Sequence, residues 1–274
     1  MRIAIVPHGD RPRSIQLAKD LIKAARQCGI DVVASAIDAS AIDMEPTILD
    51  MSTKVDLIVA IGGDGTVLKA VRVGLRTGAP VYGINAGHLG FLAEGEPADL
   101  DQTVTRFVEG QWTTSDRMMI QASINGQQTV VGLNDVVIEK VESQSTVRLA
   151  VAVDDEPFIT YTADGVVLAT STGSTAYSLA AGGPLVDPEV DAIVMTPVAP
   201  HSLFSRSLVF PPERTLRFEV LDDRRVGVTV DGLEVETVDP GGVITVGQAA
   251  QRITFVSLSG RSYPATVKQK FSLE

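Results

Sequence analysis

The sequence predicts an α/β fold whose first half carries a mainly parallel sheet and whose second half is β-rich and mostly antiparallel. Three observations predict it. Apolar runs alternate with helical patterns up to about residue 84, which demands crossover connections and therefore parallel strands. After about Trp112 the pattern changes to period-two alternation punctuated by turn residues. The chain is 45% hydrophobic but only 5% aromatic, so Val, Ile, Leu and Ala must fill the core, as they do in buried sheets.

Arg2 to Val6 reads as the first strand. A helical pattern follows through Ile15, Leu17, Ala18, Leu21, Ile22 and Ala25, closed by Cys28-Gly29. Ile30 to Ile37 is expected as the second strand, Val55 to Ile61 as the third, Val67 to Arg76 as a helix and Pro80 to Ile84 as the fourth strand. In the second half, Asp116 to Ile124 runs into Asn125-Gly126, the strongest two-residue hairpin signal. Further strands are expected at Thr129 to Glu139, Thr146 to Val153, Phe158 to Ala169, Leu216 to Leu221, Val226 to Val230, Val243 to Val246 and Ile253 to Leu258. Asp231-Gly232 and Gly241-Gly242 read as turns. The length of 274 residues suits two domains, expected at 1–111 and 112–260, with residues 261–274 as a C-terminal tail.

The net charge of −11 argues against a duplex nucleic-acid partner, which requires a basic face. Small anions remain accessible, because repulsion is screened over roughly 8 Å and local N–H groups reverse the field. No apolar run approaches the roughly 18 residues needed to span a bilayer, and Cys28 is the single cysteine, so no disulfide staple is available. A cytoplasmic protein with no membrane partner is expected.

The chemistry starts at Ile61-Gly62-Gly63-Asp64-Gly65-Thr66, between the third strand and its helix. Glycines there bring backbone N–H groups close to an anion and permit positive φ, while Asp64 supplies a carboxylate beside it. A plain helix cap is the competing reading of Asp64. A second glycine block, Tyr82 to Phe91, contains Asn85, Gly87 and His88 and leaves the fourth strand at the same sheet edge. The two loops are expected to hold phosphate through Gly62, Gly63, Gly65, Thr66, Asn85 and Gly87. In the second half, Thr170, Ser171, Thr172, Ser174 and Thr175 crowd around Gly173, poor core material that suits a ligand rich in hydroxyls and phosphate oxygens. Asn134-Asp135 breaks an apolar run and pairs an amide with a carboxylate, suited to a purine edge and a ribose diol. Thr196 to Arg206 adds His201 and the cation Arg206, a further phosphate candidate. No Walker loop, no Gly-x-Gly-x-x-Gly and no convincing zinc cluster is present.

In this order the blocks resemble the NAD kinase family, over nearly the whole chain from Met1 to Phe271. The first block alone says little, because phosphofructokinases and diacylglycerol-type lipid kinases carry a turn similar to Gly62-Gly63-Asp64-Gly65. Gly87-His88-Leu89-Gly90-Phe91 and Thr172-Gly173-Ser174-Thr175-Ala176-Tyr177, with Gly182-Gly183-Pro184, are far more specific. The resemblance implies a Rossmann-like first domain, a second domain supplying much of the NAD site, and a tail that returns to the first. It implies transfer of a phosphoryl group from ATP or polyphosphate to the adenosine-ribose 2′-hydroxyl of NAD, with Mg²⁺ or another divalent cation and a homodimer or homotetramer. Asp64 would be the catalytic aspartate with Gly65 beside it, Asn134 and Asp135 would meet the adenosine, and Asp164, Thr172, Thr175, Ala176 and Tyr177 would line the rest of the dinucleotide. No lysine stands in the Asp64 loop, which leaves charge neutralisation to the metal. Two departures stand out: the family usually has Asn-Glu at Asn134-Asp135, and Thr-Pro-Thr-Gly-Ser at Thr170 to Ser174. The shorter carboxylate reaches about 1.5 Å less far. A silent NAD(P)-binding sensor and another Gly-Gly-Asp-Gly kinase, acting on a sugar phosphate or lipid, are the alternatives.

Overall fold

A computed structural model describes all residues except 88, 89, 128, 143, 144, 203 and 222. The chain divides into two compact units, Met1–Asp116 with Ile253–Glu274, and Arg117–Arg252.

The first unit contains β1 (Arg2–Pro7), α1 (Pro12–Gln27), β2 (Asp31–Val33), α2 (Ala36–Ala41), β3 (Leu57–Gly62), α3 (Asp64–Thr77), β4 (Val81–Asn85) and α4 (Leu100–Glu109). Its strands lie in the order β2-β1-β3-β4, all parallel, as the alternating pattern requires. Pro12 opens α1, where its missing N–H is no loss, and the helix buries Ala18, Leu21, Ile22 and Ala25. The expected second strand is cut short. Ser35 accepts the Asp38 N–H and starts α2, so Ala36 and Ile37 are helical rather than extended. The strand order runs outward in opposite directions from β1 and β3, so the loops after these two strands diverge and leave a crevice beyond their carboxyl ends.

The second unit begins within β5 (Thr113–Ile124) and continues through β6 (Thr129–Gly132), β7 (Asp135–Lys140), β8 (Val147–Val153), β9 (Glu156–Ala163), β10 (Gly165–Thr170), the short α5 (Tyr177–Ala180), β11 (Ile193–Val198), β12 (Leu208–Phe210), β13 (Leu216–Leu221), β14 (Val226–Val230) and β15 (Leu233–Val238). The chain leaves it within β16 (Val243–Ser257). Strands β12-β11-β10-β7-β14-β15 form an antiparallel sheet; β13 pairs with β8 and with the start of β16, and β8 pairs with β9. Side chains from both groups, among them Ile120, Ile138, Leu149, Leu168 and Phe218, share one buried core.

Two runs read as single strands each break in two. Thr129 to Glu139 bends at Leu133-Asn134, where β6 gives way to β7 in the other sheet, and Phe158 to Ala169 breaks at Asp164 between β9 and β10. Conversely, Val243 to Val246 and Ile253 to Ser257 are parts of the one strand β16, and Leu258 falls just past its end. Asn125 and Gly126 both adopt positive φ, 51° and 72°, as the hairpin signal predicts.

The last helix, α6 (Tyr263–Phe271), belongs to the first unit, where the Phe271 ring lies 6.2 Å from Phe91 and Lys270 Nζ sits 5.6 Å over the same ring. Helix α4, which the sequence reading passed over, is held by Phe107. Its ring stands edge-on to Tyr82 at 5.5 Å and to Trp112 at 6.0 Å. Phe107→Ala should therefore destabilise the first unit by about 3–5 kcal/mol in urea unfolding, and a loss below about 1 kcal/mol would show that α4 is not anchored there.

Candidate active site

The carboxyl ends of β1 and β3 bound a cavity of about 450 Å³, lined by Pro7, His8, Gly9, Asp10, Arg11, Gly63, Asp64, Gly65, Thr66 and Lys69. It therefore sits at the crevice that the strand order creates, over the first turn of α3, whose N–H groups point outward. None of Gly62, Gly63 and Gly65 has positive φ, so the expectation of a strained turn fails. The glycines serve close approach instead: a Cβ on Gly62 would lie 2.2 Å from Thr66 Oγ1, while Gly63 and Gly65 have open space where a side chain would stand.

Asp64 is the first residue of α3 and does not cap it; Gly63 holds the N-cap position without any side-chain bond. Its carboxylate instead receives the Phe91 N–H on Oδ2 and the Leu92 N–H on Oδ1, each at 3.0 Å. The segment that delivers these donors is fixed to β4, with Asn85 N–H donating to Gly95 O at 2.8 Å and Gly95 N–H to Gly83 O at 2.9 Å. Gly90 completes the fit, because a Cβ there would sit 2.0 Å from Asp64 Oδ1. An ionised carboxylate has about four acceptor positions, so two remain for a substrate hydroxyl or a cation.

The second glycine block contributes differently from what was expected. Asn85 is buried and its Oδ1 accepts the Gly87 N–H at 3.0 Å, so it shapes the loop; neither it, Gly62 nor Gly87 lines the Asp64 cavity among the described residues. His88 and Leu89 lie outside the described residues. Gly87 does face a cation, since Arg11 Nη1 is 3.7 Å from where its Cβ would be. His8, Arg11 and Lys69 were missed as cavity residues. His8 at the end of the first strand was the one available signal, whereas nothing in the sequence brings Lys69 to the cavity.

In the second unit, Asn134 and Asp135 sit where the chain changes sheets. Asp231 organises them: Leu133 N–H donates to its Oδ2 at 2.8 Å, and Asn134 N–H to its Oδ1 at 2.7 Å. Asp135 N–H reaches the same Oδ1 at 3.3 Å, and Asp231 N–H returns to Asp135 O at 3.0 Å. The sequence reading treated Asp231 only as a turn residue, which it also is, with φ 48°. Gly173 is obligatory here, because a Cβ would fall 1.9 Å from Asn134 O.

The hydroxyl-rich turn is mostly self-satisfied. Thr170 Oγ1 donates to Leu133 O at 2.6 Å and accepts the Gly173 N–H; Ser171 donates to Val190 O, Ser174 to Val186 O, and Thr175 to Thr172 O at 3.2 Å. Thr172 is the one of the five whose hydroxyl no described residue uses; the other four help to knit a tight turn. Asp164 pairs with Lys140 at 2.8 Å. Tyr177 follows Ala176 at the start of α5 and is exposed; burial of its ring, then the Glu139, Asp164 and Asp135 carboxylates, push its phenol pKa up. Asp135 accepts the Tyr177 N–H, and Glu139, which the sequence reading missed, pairs in register with Gly165 next to Asp164. Arg206 stays exposed before β12, in a block whose Thr196 to Val198 are strand rather than loop and whose Leu203 lies outside the described residues.

Both units match one family. Residues 3–112 match the ATP-NAD kinase N-terminal domain and residues 133–258 the ATP-NAD kinase C-terminal domain. The chain belongs to the NAD kinase family. An NAD kinase of Acetivibrio thermocellus is 36% identical over 96% of this chain and 94% of its own, and one of Heliobacterium modesticaldum is 34% identical over 98% and 97%. The fold is that of the yeast NADH kinase solved with NADH, at TM-score 0.90 and 24% identity over 100% of this chain and 88% of that one. It is also that of an Archaeoglobus fulgidus NAD kinase solved with ATP, at TM-score 0.78 and 24% identity over 98% of both chains.

Burial, with the Asp231 carboxylate close by, pushes the Asp135 carboxyl up to about 7, against the Tyr177 N–H that favours its ionised form. A carboxyl raised in this way keeps its proton in the folded chain after the unfolded chain has lost it. Folded stability should therefore fall as pH climbs from about 4 to about 7 and level off above that. Asp135→Asn should remove most of this decline, a difference of a few kcal/mol between parent and variant in urea unfolding across that range. Parallel pH profiles for the two proteins would show that Asp135 ionises without hindrance.

Proposed function

We propose that this protein is an NAD kinase that moves the terminal phosphoryl group of ATP, or of inorganic polyphosphate, to the adenosine-ribose 2′-hydroxyl of NAD, giving NADP. The observation that carries this reading is the Asp64 carboxylate, braced by two backbone N–H groups and open to a cavity at the helix N-terminus. Family membership through both halves of the chain supports the substrate, and the ATP-bound Archaeoglobus relative supports the donor.

In this reaction the 2′-oxygen forms a bond to the γ-phosphorus as the bond to the bridging oxygen breaks, and the hydroxyl proton must leave. Asp64 orients that hydroxyl and accepts its proton through a carboxylate position the backbone does not occupy. Gly63, Gly65 and Thr66 present the first-turn N–H groups of α3 to the phosphates. Asn134 and Asp135 hold the adenosine end, with Asp164, Thr172, Thr175, Ala176 and Tyr177 around the rest of the dinucleotide. Gly62, Asn85 and Gly87 act by shaping the donor loops rather than by touching the donor, and Arg206 remains a surface candidate for phosphate.

No three His, Cys, Asp or Glu side chains among the described residues are grouped to hold a metal ion. Asp10 and Asp64 on the cavity wall nevertheless suit Mg²⁺, which is usually bound by one or two carboxylates together with substrate phosphates. When bound, Mg²⁺ neutralises charge on the transferring phosphoryl group. Exposed apolar side chains on the second unit, among them Phe158, Leu185, Val190 and Val209, fit a homodimer or homotetramer. No helix among the described residues is long and apolar enough to cross a membrane, and a cytoplasmic location suits a chain with one exposed free cysteine.

Purified protein with Mg²⁺, NAD and ATP should form NADP, measured enzymatically, and excess EDTA should abolish it; full activity in EDTA would remove the metal from the reaction. Asn134→Ala should weaken NAD binding about threefold to tenfold while leaving kcat nearly unchanged, since a contact remote from the reacting atoms is present in ground and transition states alike. An unchanged Kd by calorimetry would take Asn134 out of the site.

A further inference from the structure

Lys69 is the cavity residue that neither the glycine loops nor the proposed proton acceptor accounts for. It lies on α3 beyond the first turn, and its ammonium meets Asp38 Oδ1 at 2.5 Å. Asp38 is almost wholly buried, its side chain 1% exposed, and its other oxygen receives the Ser35 hydroxyl at 2.5 Å. Lys69 keeps 37% of its side chain exposed and lines the same cavity as Asp64 and Thr66. A flexible lysine is thus tethered on its inner side and faces the cavity on its outer side. Helical side chains lean toward the helix N-terminus, which carries the ammonium toward the first-turn N–H groups. An ammonium has three N–H donors, of which Asp38 Oδ1 takes one.

Arg11 enters from the β1–α1 loop, faces Gly87, and lines the same cavity; His8 Nδ1 beside it is buried without a hydrogen-bond partner. The Asp64 loop itself holds no lysine, as its sequence shows, yet Lys69 reaches the cavity wall from α3. The side chain is supplied from the body of α3 rather than from the loop.

We propose that Lys69, tethered by Asp38, forms with Arg11 a clamp for the phosphate chain of the donor, so that donor affinity depends on several linked phosphates as well as on the glycine loop. The inference rests on the kinase reading of this cavity. Tethering removes rotamer freedom before the donor arrives, which favours binding without altering the reacting geometry. The clamp should therefore act on donor affinity rather than on kcat or on NAD.

The test is calorimetric titration of the full chain with inorganic tripolyphosphate, alongside steady-state kinetics with ATP. Lys69→Met should weaken tripolyphosphate binding about fivefold to thirtyfold and raise KM for ATP by a similar factor, with NAD affinity unchanged. Lys69→Arg, which keeps both the pair and the charge, should stay within about threefold of the parent. Because Lys69→Met leaves Asp38 buried without its cation, Asp38→Asn combined with Lys69→Met provides a variant lacking both charges, and it should bind as weakly as Lys69→Met alone. Tripolyphosphate affinity equal to the parent's in both Met variants, or no binding by the parent, would overturn the clamp. A parent that binds tripolyphosphate in this Lys69-dependent way yet makes no NADP would overturn the kinase reading and leave the clamp standing.

Discussion

The structure around the site depends on one carboxylate accepting two backbone donors. Asp64 leaves β3 at the point where α3 begins, and the Phe91 and Leu92 N–H groups meet its two oxygens from a segment that is itself laid against β4. The start of α3, strand β4 and the segment from Gly90 to Gly95 are thereby fixed to one another. Gly90 must lack a side chain for the carboxylate to fit, and Phe91, once placed, gives the C-terminal helix its contact through Phe271 and Lys270. A helix cap would need only a local bond; this arrangement aims a charged group into a cavity and holds it there.

The second unit solves a related problem with a second aspartate. Where the chain passes from β6 to β7 it changes sheets, and three consecutive N–H groups lose the ladder partners a continuous strand would supply. The Asp231 carboxylate takes all three. That placement puts a second carboxylate near Asp135, and burial together with this neighbour raises the Asp135 pKa. Structural demand and altered acidity are consequences of the same contact.

Local signals were legible in the sequence and distant ones were not. The parallel pairing of the first strands and the Asn125-Gly126 hairpin depend on neighbouring residues and appear as read; the Asp64 loop stands between strand and helix as read, though without the positive φ expected of its glycines. Ala36 and Ile37 were read as strand because their apolar character fits either state; Ser35 and Asp38 decide for helix through a cap and an ion pair to a residue 31 positions away. The sheet changes at Leu133-Asn134 and Asp164 escaped because apolar alternation continues across them while the sheet does not. Composition alone does not reveal that the Thr170, Ser171 and Ser174 hydroxyls are already received by the Leu133, Val190 and Val186 carbonyls. Lys69, Arg11, Glu139 and Asp231 reach their sites only through folding.

We propose that Asp64 receives the substrate proton rather than merely bracing a loop. Asp64→Asn tests it most directly, with kcat, NAD affinity and melting temperature measured on one preparation. The amide turns an NH₂ toward one of the two backbone donors, so melting temperature should fall modestly. If Asp64 takes the proton, NAD affinity stays within about threefold while kcat drops by about 10²–10⁴, the usual worth of general-base assistance. A kcat within about threefold of the parent, at the same modest loss of stability, would contradict it.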